Sequence, residues 1–233
     1  MSAPSVIRAA DGEAVAARAA QMLAELLSST LTSRASAHLA LSGGTTPAGA
    51  YRALRLPRWE GIELWFGDER CVGPEDPQSN YLMAERTLLD HAPGALVHRI
   101  EGELGAERAA AAYAELLRER VGGDGGAPVL DIVLLGIGED GHTASLFPHH
   151  PALDASGAVC VAVHDAPKPP PDRVSLSLEV LRAARSTILL ATGAAKAHAL
   201  ARALGEADPA VPASLLERER LTVIADAAAL ADA

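Results

Sequence analysis

The stretch DIVLLGIGEDGHTASLFP, from Asp131 to Pro148, decides the fold. Its opening residues, Asp131-Ile132-Val133-Leu134-Leu135, are almost continuously apolar and include β-branched side chains. Such a run reads as a strand buried on both faces, as in the parallel sheet of an α/β protein. Gly136, Gly138 and Gly141 follow, letting the backbone turn sharply and approach a ligand closely. Asp140 and His142 then stand just past the strand's carboxyl end, the edge at which open α/β sheets bind ligands. A histidine there can take and return a proton near neutral pH. The plainer alternative is a structural loop histidine.

Two other readings of this stretch fit less well. Gly136-x-Gly138-x-x-Gly141 matches a dinucleotide fingerprint, which expects an acidic residue roughly 20 positions on, at the end of the next strand. Asp154 is near that distance but precedes the next apolar run instead of following it. Asp140, His142, His149 and His150 suggest a metal site, but adjacent histidines in a loop rarely point the same way. Neither a metal nor another cofactor is expected.

Outward from this motif, the chain alternates strands and helices. Asp11 caps a helix to about Ser29 whose apolar residues Val15, Ala19, Met22, Leu23 and Leu26 fall at helical spacing. His38–Leu41 reads as a strand, followed by Ser42-Gly43-Gly44-Thr45-Thr46-Pro47. Free backbone N–H groups, two threonine hydroxyls and a helix start make that loop an anion site, or else a plain capped turn. Gly61–Phe66 is a strand ending in Gly67-Asp68-Glu69-Arg70, three charges on the ligand-binding edge. A loop to Asn80, a helix through Leu89, a strand at Leu96–Ile100 and a helix at Glu107–Val121 come next. Gly122–Pro128 is a glycine-rich surface connection. Ala158–Val163 is a strand, and Pro167-Lys168-Pro169-Pro170-Pro171-Asp172 is a stiff segment leading to Arg173 and the alternating strand Arg173–Ser177. After the strand Ser186–Thr192, Lys196 lies in the first turn of a helix, where the dipole disfavours a cation unless an anion sits between them. Leu221–Ala225 closes the set.

This pattern predicts one α/β domain over residues 1–233, with a mostly parallel open sheet flanked by helices, Rossmann-like. The loops 42–47, 67–70, 136–142 and 192–196 should gather on one edge. Hydrophobic residues at 49% suffice for a large core, and with aromatics at 3% that core should be aliphatic. A net charge of −10 argues against a nucleic-acid surface and requires any phosphate pocket to be locally positive. No run reaches membrane-spanning length, no secretory signal opens the chain, and Cys71 and Cys160 follow no metal or redox spacing. A cytoplasmic protein, monomeric or weakly dimeric, is expected.

Taken together, SGGTTP at 42–47, Trp65–Arg70, Ser79-Asn80-Tyr81, Gly138–Pro148, Pro167–Ser177 and Gly193–Ala197 resemble the 6-phosphogluconolactonases, in the larger group that includes glucosamine-6-phosphate deaminase. GEDGHTASLFP combined with PKPPPDRVSLS is the specific part of the resemblance. Two positions depart from the family pattern: Gln78, where an aspartate is expected, and His149-His150, where a glycine is more usual after Phe147-Pro148. The deaminases carry Asn-Glu-Pro just after their Asp-Gly-His; here Ser145-Leu146-Phe147-Pro148 offers no carboxylate.

The resemblance implies a deaminase-like fold and hydrolysis of 6-phosphoglucono-δ-lactone, a small phosphosugar lactone, in the pentose phosphate route. It implies His142 as general base with Asp140 beside it. Arg70, Arg173 and Lys196 would meet negative charge, the loop Ser42, Gly43, Gly44, Thr45 and Thr46 would lie on the phosphate side, and Asp68 would be among the substrate-binding residues, with either Asp68 or Asp140 orienting His142. The chemistry is consistent with these groups, since a δ-lactone is an activated ester that needs one positioned base and one water. Arg70 or glycine-loop N–H groups are candidates to stabilise the oxyanion.

Overall fold

The computed structural model describes residues 3–122 and 126–233. Among the described residues ten strands form: β1 (Ser5–Ala9), β2 (Ala37–Leu41), β3 (Ile62–Phe66), β4 (Asp68–Arg70), β5 (Leu96–Val97), β6 (Ile132–Gly136), β7 (Cys160–Val163), β8 (Arg173–Leu176), β9 (Ser186–Ala191) and β10 (Leu221–Asp226). Six α-helices accompany them: α1 (Gly12–Ser33), α2 (Thr45–Ala53), α3 (Asn80–Thr87), α4 (Ala106–Arg120), α5 (Leu178–Ala183) and α6 (Ala197–Leu204).

The main sheet has seven strands in the order β1-β10-β9-β6-β2-β3-β5, and every pairing in it is parallel. Its central strands are apolar on both faces, and every residue of β2 and β3 is buried. That double burial is why these segments read as continuous hydrophobic runs. α1 buries Val15, Ala19, Leu23 and Leu27 along one stripe, and the Asp11 carboxylate caps it by accepting from Ala14 N–H at 2.9 Å. From β2 the chain proceeds outward through β3 and β5, then returns to place β6 on the other side of β2. The order therefore reverses between β2 and β6, which opens a crevice at their carboxyl ends.

A second, three-stranded antiparallel sheet, β4-β8-β7, stands beside that crevice. The 67–70 segment, expected as a loop, is thus mostly a short strand. The strands near 158–163 and 173–177 form as read but pair with it rather than with the main sheet. Only Leu96–Val97 of the expected 96–100 strand is paired, at the sheet edge. Residues 123–125 of the glycine-rich connection lie outside the described residues. Among the described residues, no helix is long and apolar enough to cross a membrane.

Candidate active site

At the carboxyl edge of the sheet, a cleft of about 340 Å³ opens between the loops after β2, β6 and β9 and the small sheet. Ser42, Gly43, Gly44, Thr45, Thr46, Asp68, Arg70, His142, Arg173 and Lys196 all line it. Asp140 reaches it through His142.

The loop after β6 builds an acid–base pair. His142 Nδ1 lies 2.5 Å from Asp140 Oδ1, and the same carboxylate oxygen accepts from the His142 main-chain N–H at 3.3 Å. Burial opposes ionisation of Asp140, but the His142 hydrogen bond and charge outweigh it and bring the carboxyl down to about 2. An ionised Asp140 accepts the Nδ1 proton, which leaves Nε2 as the basic nitrogen. The His142 ring rests against the buried Phe147, centroids 4.6 Å apart. Gly138 is required here, because a Cβ on it would run into both His142 Nδ1 and Asp140 Oδ1.

Arg70 and Asp68 are fixed by the junction of β4 with α3. The buried Glu69 carboxylate accepts from the main-chain N–H groups of Arg70 (2.8 Å), Asn80 (2.7 Å) and Tyr81 (2.7 Å), and from Ser79 Oγ (3.0 Å). Burial pushes the Glu69 carboxyl up, and the amide donors pull it back. Arg70 donates Nη1–H to the Gln78 carbonyl at 2.5 Å, while its buried Nε–H has no partner among the described residues. The unusual Gln78 therefore contributes its backbone to this contact. Asp68 makes no hydrogen bond to His142, whose partner is Asp140. Its carboxylate accepts from Ser145 Oγ at 2.6 Å and from Asn80 Nδ2 at 3.3 Å. Asn80 also packs against Gly43, where any Cβ would collide with its amide.

Arg173 is half committed to its own loop. Its Nε–H donates to the Pro170 carbonyl (3.1 Å) and its Nη2 to those of Lys168 (2.7 Å) and Pro169 (3.4 Å), while the guanidinium lies 5.5 Å from the Phe147 ring centroid. That leaves Nη1 for a ligand. Burial, then the neighbouring Arg70, lower the Arg173 pKa, and Asp68 opposes them. Lys196 is likewise lowered, by burial against the pull of Glu139, whose carboxylate is 3.9 Å away, with Lys168 adding repulsion. Lys196 occupies a 3₁₀ turn at Ala194–Lys196, directly ahead of α6. Thr46 and Thr192 hydroxyls meet at 2.8 Å and tie the β2 and β9 loops together.

Lys168, Asn80 and Thr192 also line the cleft, although the sequence reading gave none of them an individual role there. Lys168 sat in view inside the proline segment, but nothing local shows that the segment folds over the site. His150 has structural work, accepting from Ala152 N–H at Nδ1 (3.1 Å) and lying 2.7 Å from the His164 carbonyl at Nε2. His149 adopts φ +58°, the left-handed conformation that favours glycine, which accounts for the glycine more usual there.

Residues 10–225 match the family described as glucosamine-6-phosphate isomerases/6-phosphogluconolactonase. The chain belongs to this family. A 6-phosphogluconolactonase of Streptomyces coelicolor is 40% identical over 219 residues, covering 88% of this chain and 84% of that protein. The human 6-phosphogluconolactonase is 38% identical over 230 residues, covering 92% and 88%. The solved 6-phosphogluconolactonase of Trypanosoma brucei superposes with a TM-score of 0.89 at 29% identity, covering 98% of each chain.

Proposed function

We propose that this chain hydrolyses 6-phospho-D-glucono-1,5-lactone to 6-phospho-D-gluconate in the oxidative pentose phosphate pathway, with His142 as general base. The observation that carries this reading is the convergence of four cations, Arg70, Lys168, Arg173 and Lys196, with the Asp140–His142 pair in one cleft of an acidic protein. Burial makes Arg173 and Lys196 costly as cations, and the neighbouring Arg70 and Lys168 repel them, a cost that a bound anion relieves. A phosphate ester supplies that anion, and a lactone supplies an electrophile for the water that His142 activates.

His142 Nε2 takes a proton from water as the oxygen attacks the lactone carbonyl, and Asp140 stabilises the resulting imidazolium. The tetrahedral intermediate then collapses. Its ring C–O bond breaks, and the imidazolium returns the proton to the departing ring oxygen, giving the open hydroxy acid. Arg70, whose buried Nε–H lacks a partner, is the side-chain candidate to meet the oxyanion. The Ser42–Thr46 loop, Lys196, Lys168 and the free nitrogen of Arg173 hold the phosphate, and Asp68 accepts from a sugar hydroxyl.

Residues 1–233 act as one domain in the cytoplasm. Two free thiols support that compartment, since disulfides are rare there. A monomer or weak homodimer fits the few exposed large hydrophobics, Val6, Leu96 and Val97, at opposite edges of the main sheet. The deciding experiment is the rate of lactone opening with purified protein: turnover well above the spontaneous reaction is expected, and no excess overturns the reading.

A further inference from the structure

The proline-rich segment that carries Lys168 over the cleft leaves β7 at His164 and enters β8 after Asp172. Its interior is laced by Arg173, as described, and by a bond from Ala166 N–H to the Pro171 carbonyl at 2.9 Å. Its base is closed by the His164 side chain, which no part of the proposed chemistry uses. The ring stands between two carboxylates from separate elements. Nδ1 is 2.8 Å from Asp172 Oδ1, and Nε2 is 2.8 Å from Glu107 Oε1, in the first turn of α4.

An ionised carboxylate can only accept, and a neutral imidazole has a single N–H. Neutral His164 would therefore turn a lone pair toward one of its two partners, whereas an imidazolium donates to both. Asp172 is held in turn by its backbone, whose carbonyl accepts from Cys71 N–H at 3.0 Å. His150 meets the His164 carbonyl, so His164 joins α4, the β4–α3 loop, the 149–154 turn and the proline segment.

We propose that His164 is a positioning residue for substrate binding: its imidazolium pins the 164–172 segment to α4, holding Lys168 and Arg173 at the phosphate end of the cleft. This rests on the lactonase reading above. The titratable groups around the ring are Glu107 from α4, Asp172 from the same hairpin, Cys71 from the loop after β4, and His150 at the main chain. The Asp172 and Glu107 hydrogen bonds raise the His164 pKa. A raised pKa means that the clamp is intact at and below the ordinary histidine range and is lost as pH rises through the raised value.

The test uses the full chain and the variants H164Q, H164R and E107Q, with two readouts. The first is kcat and KM for the phosphorylated lactone at ~pH 6.5 and ~pH 8, with spontaneous opening subtracted. The second, which needs no turnover, is backbone amide exchange at Asp165, Ala166, Lys168 and Asp172, the residues of the segment that carry an N–H, above all at Ala166, whose N–H is bonded to the Pro171 carbonyl. H164Q should raise KM about 3- to 10-fold at the lower pH, the size that two exposed ion pairs can supply, and E107Q, which breaks one of them, by less, with kcat nearly unchanged in both. H164R, a permanent cation, should keep the wild-type KM and abolish its rise with pH. Exchange should quicken in H164Q and not in H164R. An unchanged KM in active H164Q overturns the proposal, as does unaltered exchange. A wild-type chain that fails to open the lactone overturns the functional reading alone, and the exchange readout still decides whether His164 pins the segment.

Discussion

Gly138→Ala perturbs the acid–base pair without removing any reacting atom. The new Cβ would overlap His142 Nδ1 and Asp140 Oδ1, whereas ordinary van der Waals contact begins at 3.4 Å. The imidazole must therefore retreat by about 1 Å, a displacement that typically costs ~10²-fold in rate when it moves a reacting group. That corresponds to about 2.7 kcal/mol in the barrier. Gly138 does not sit at positive φ, so alanine introduces no backbone strain of its own. The assay is kcat and KM for the phosphorylated lactone near neutral pH, with thermal unfolding run in parallel. A kcat lowered ~10²-fold, with KM little changed and the fold intact, is expected. A wild-type kcat in a folded G138A protein would refute the claim that the Asp140–His142 geometry drives turnover.

Other perturbations reach separate parts of the account. Asp140 is depressed, so it stays ionised until pH falls toward about 2; loss of turnover on acidification well above that value is expected from protonation of a different group, the general base, and a profile flat across the acidic range contradicts a proton-accepting base. Lys196→Ala should raise KM more than it lowers kcat, and sulfate or inorganic phosphate should compete with substrate; equal turnover of phosphorylated and unphosphorylated lactone removes the basis for the phosphate site. Ser145→Ala leaves the buried Asp68 Oδ2 without its 2.6 Å donor. It should cost about 1–3 kcal/mol, read as a fall in Tm of roughly 2–10 °C, and an unchanged Tm shows that the bond is not needed.

The inner strands of the main sheet were legible because they are buried on both faces and read as apolar runs, whereas the edge strands β1 and β5 are largely exposed; α1 shows a clean 3.6-residue stripe. The loops after β2, β6 and β9 followed, since glycines and charges past a parallel strand mark the ligand edge. The small sheet was not legible. Asp68–Arg70 is all charge, and its pairing with Arg173–Ser175 joins residues about a hundred positions apart, beyond the reach of any local pattern. For the same reason the tie between Ser145 and Asp68 was invisible, although both residues had been noticed separately. Arg173 lines the cleft, but its engagement with three carbonyls depends on how the proline segment curls back. Composition and spacing do not carry that information.

The central claim is that His142 moves the proton while the cations hold the substrate. Its most direct measurement is the kcat of His142→Asn on the phosphorylated lactone, compared with Lys196→Ala under saturating substrate. Asparagine keeps a polar side chain but cannot accept and return a proton, so kcat should fall ~10²- to 10⁴-fold with KM little changed. Near-wild-type turnover by H142N, with turnover abolished in K196A, would place the reacting carbonyl at the lysine end of the cleft and contradict the account.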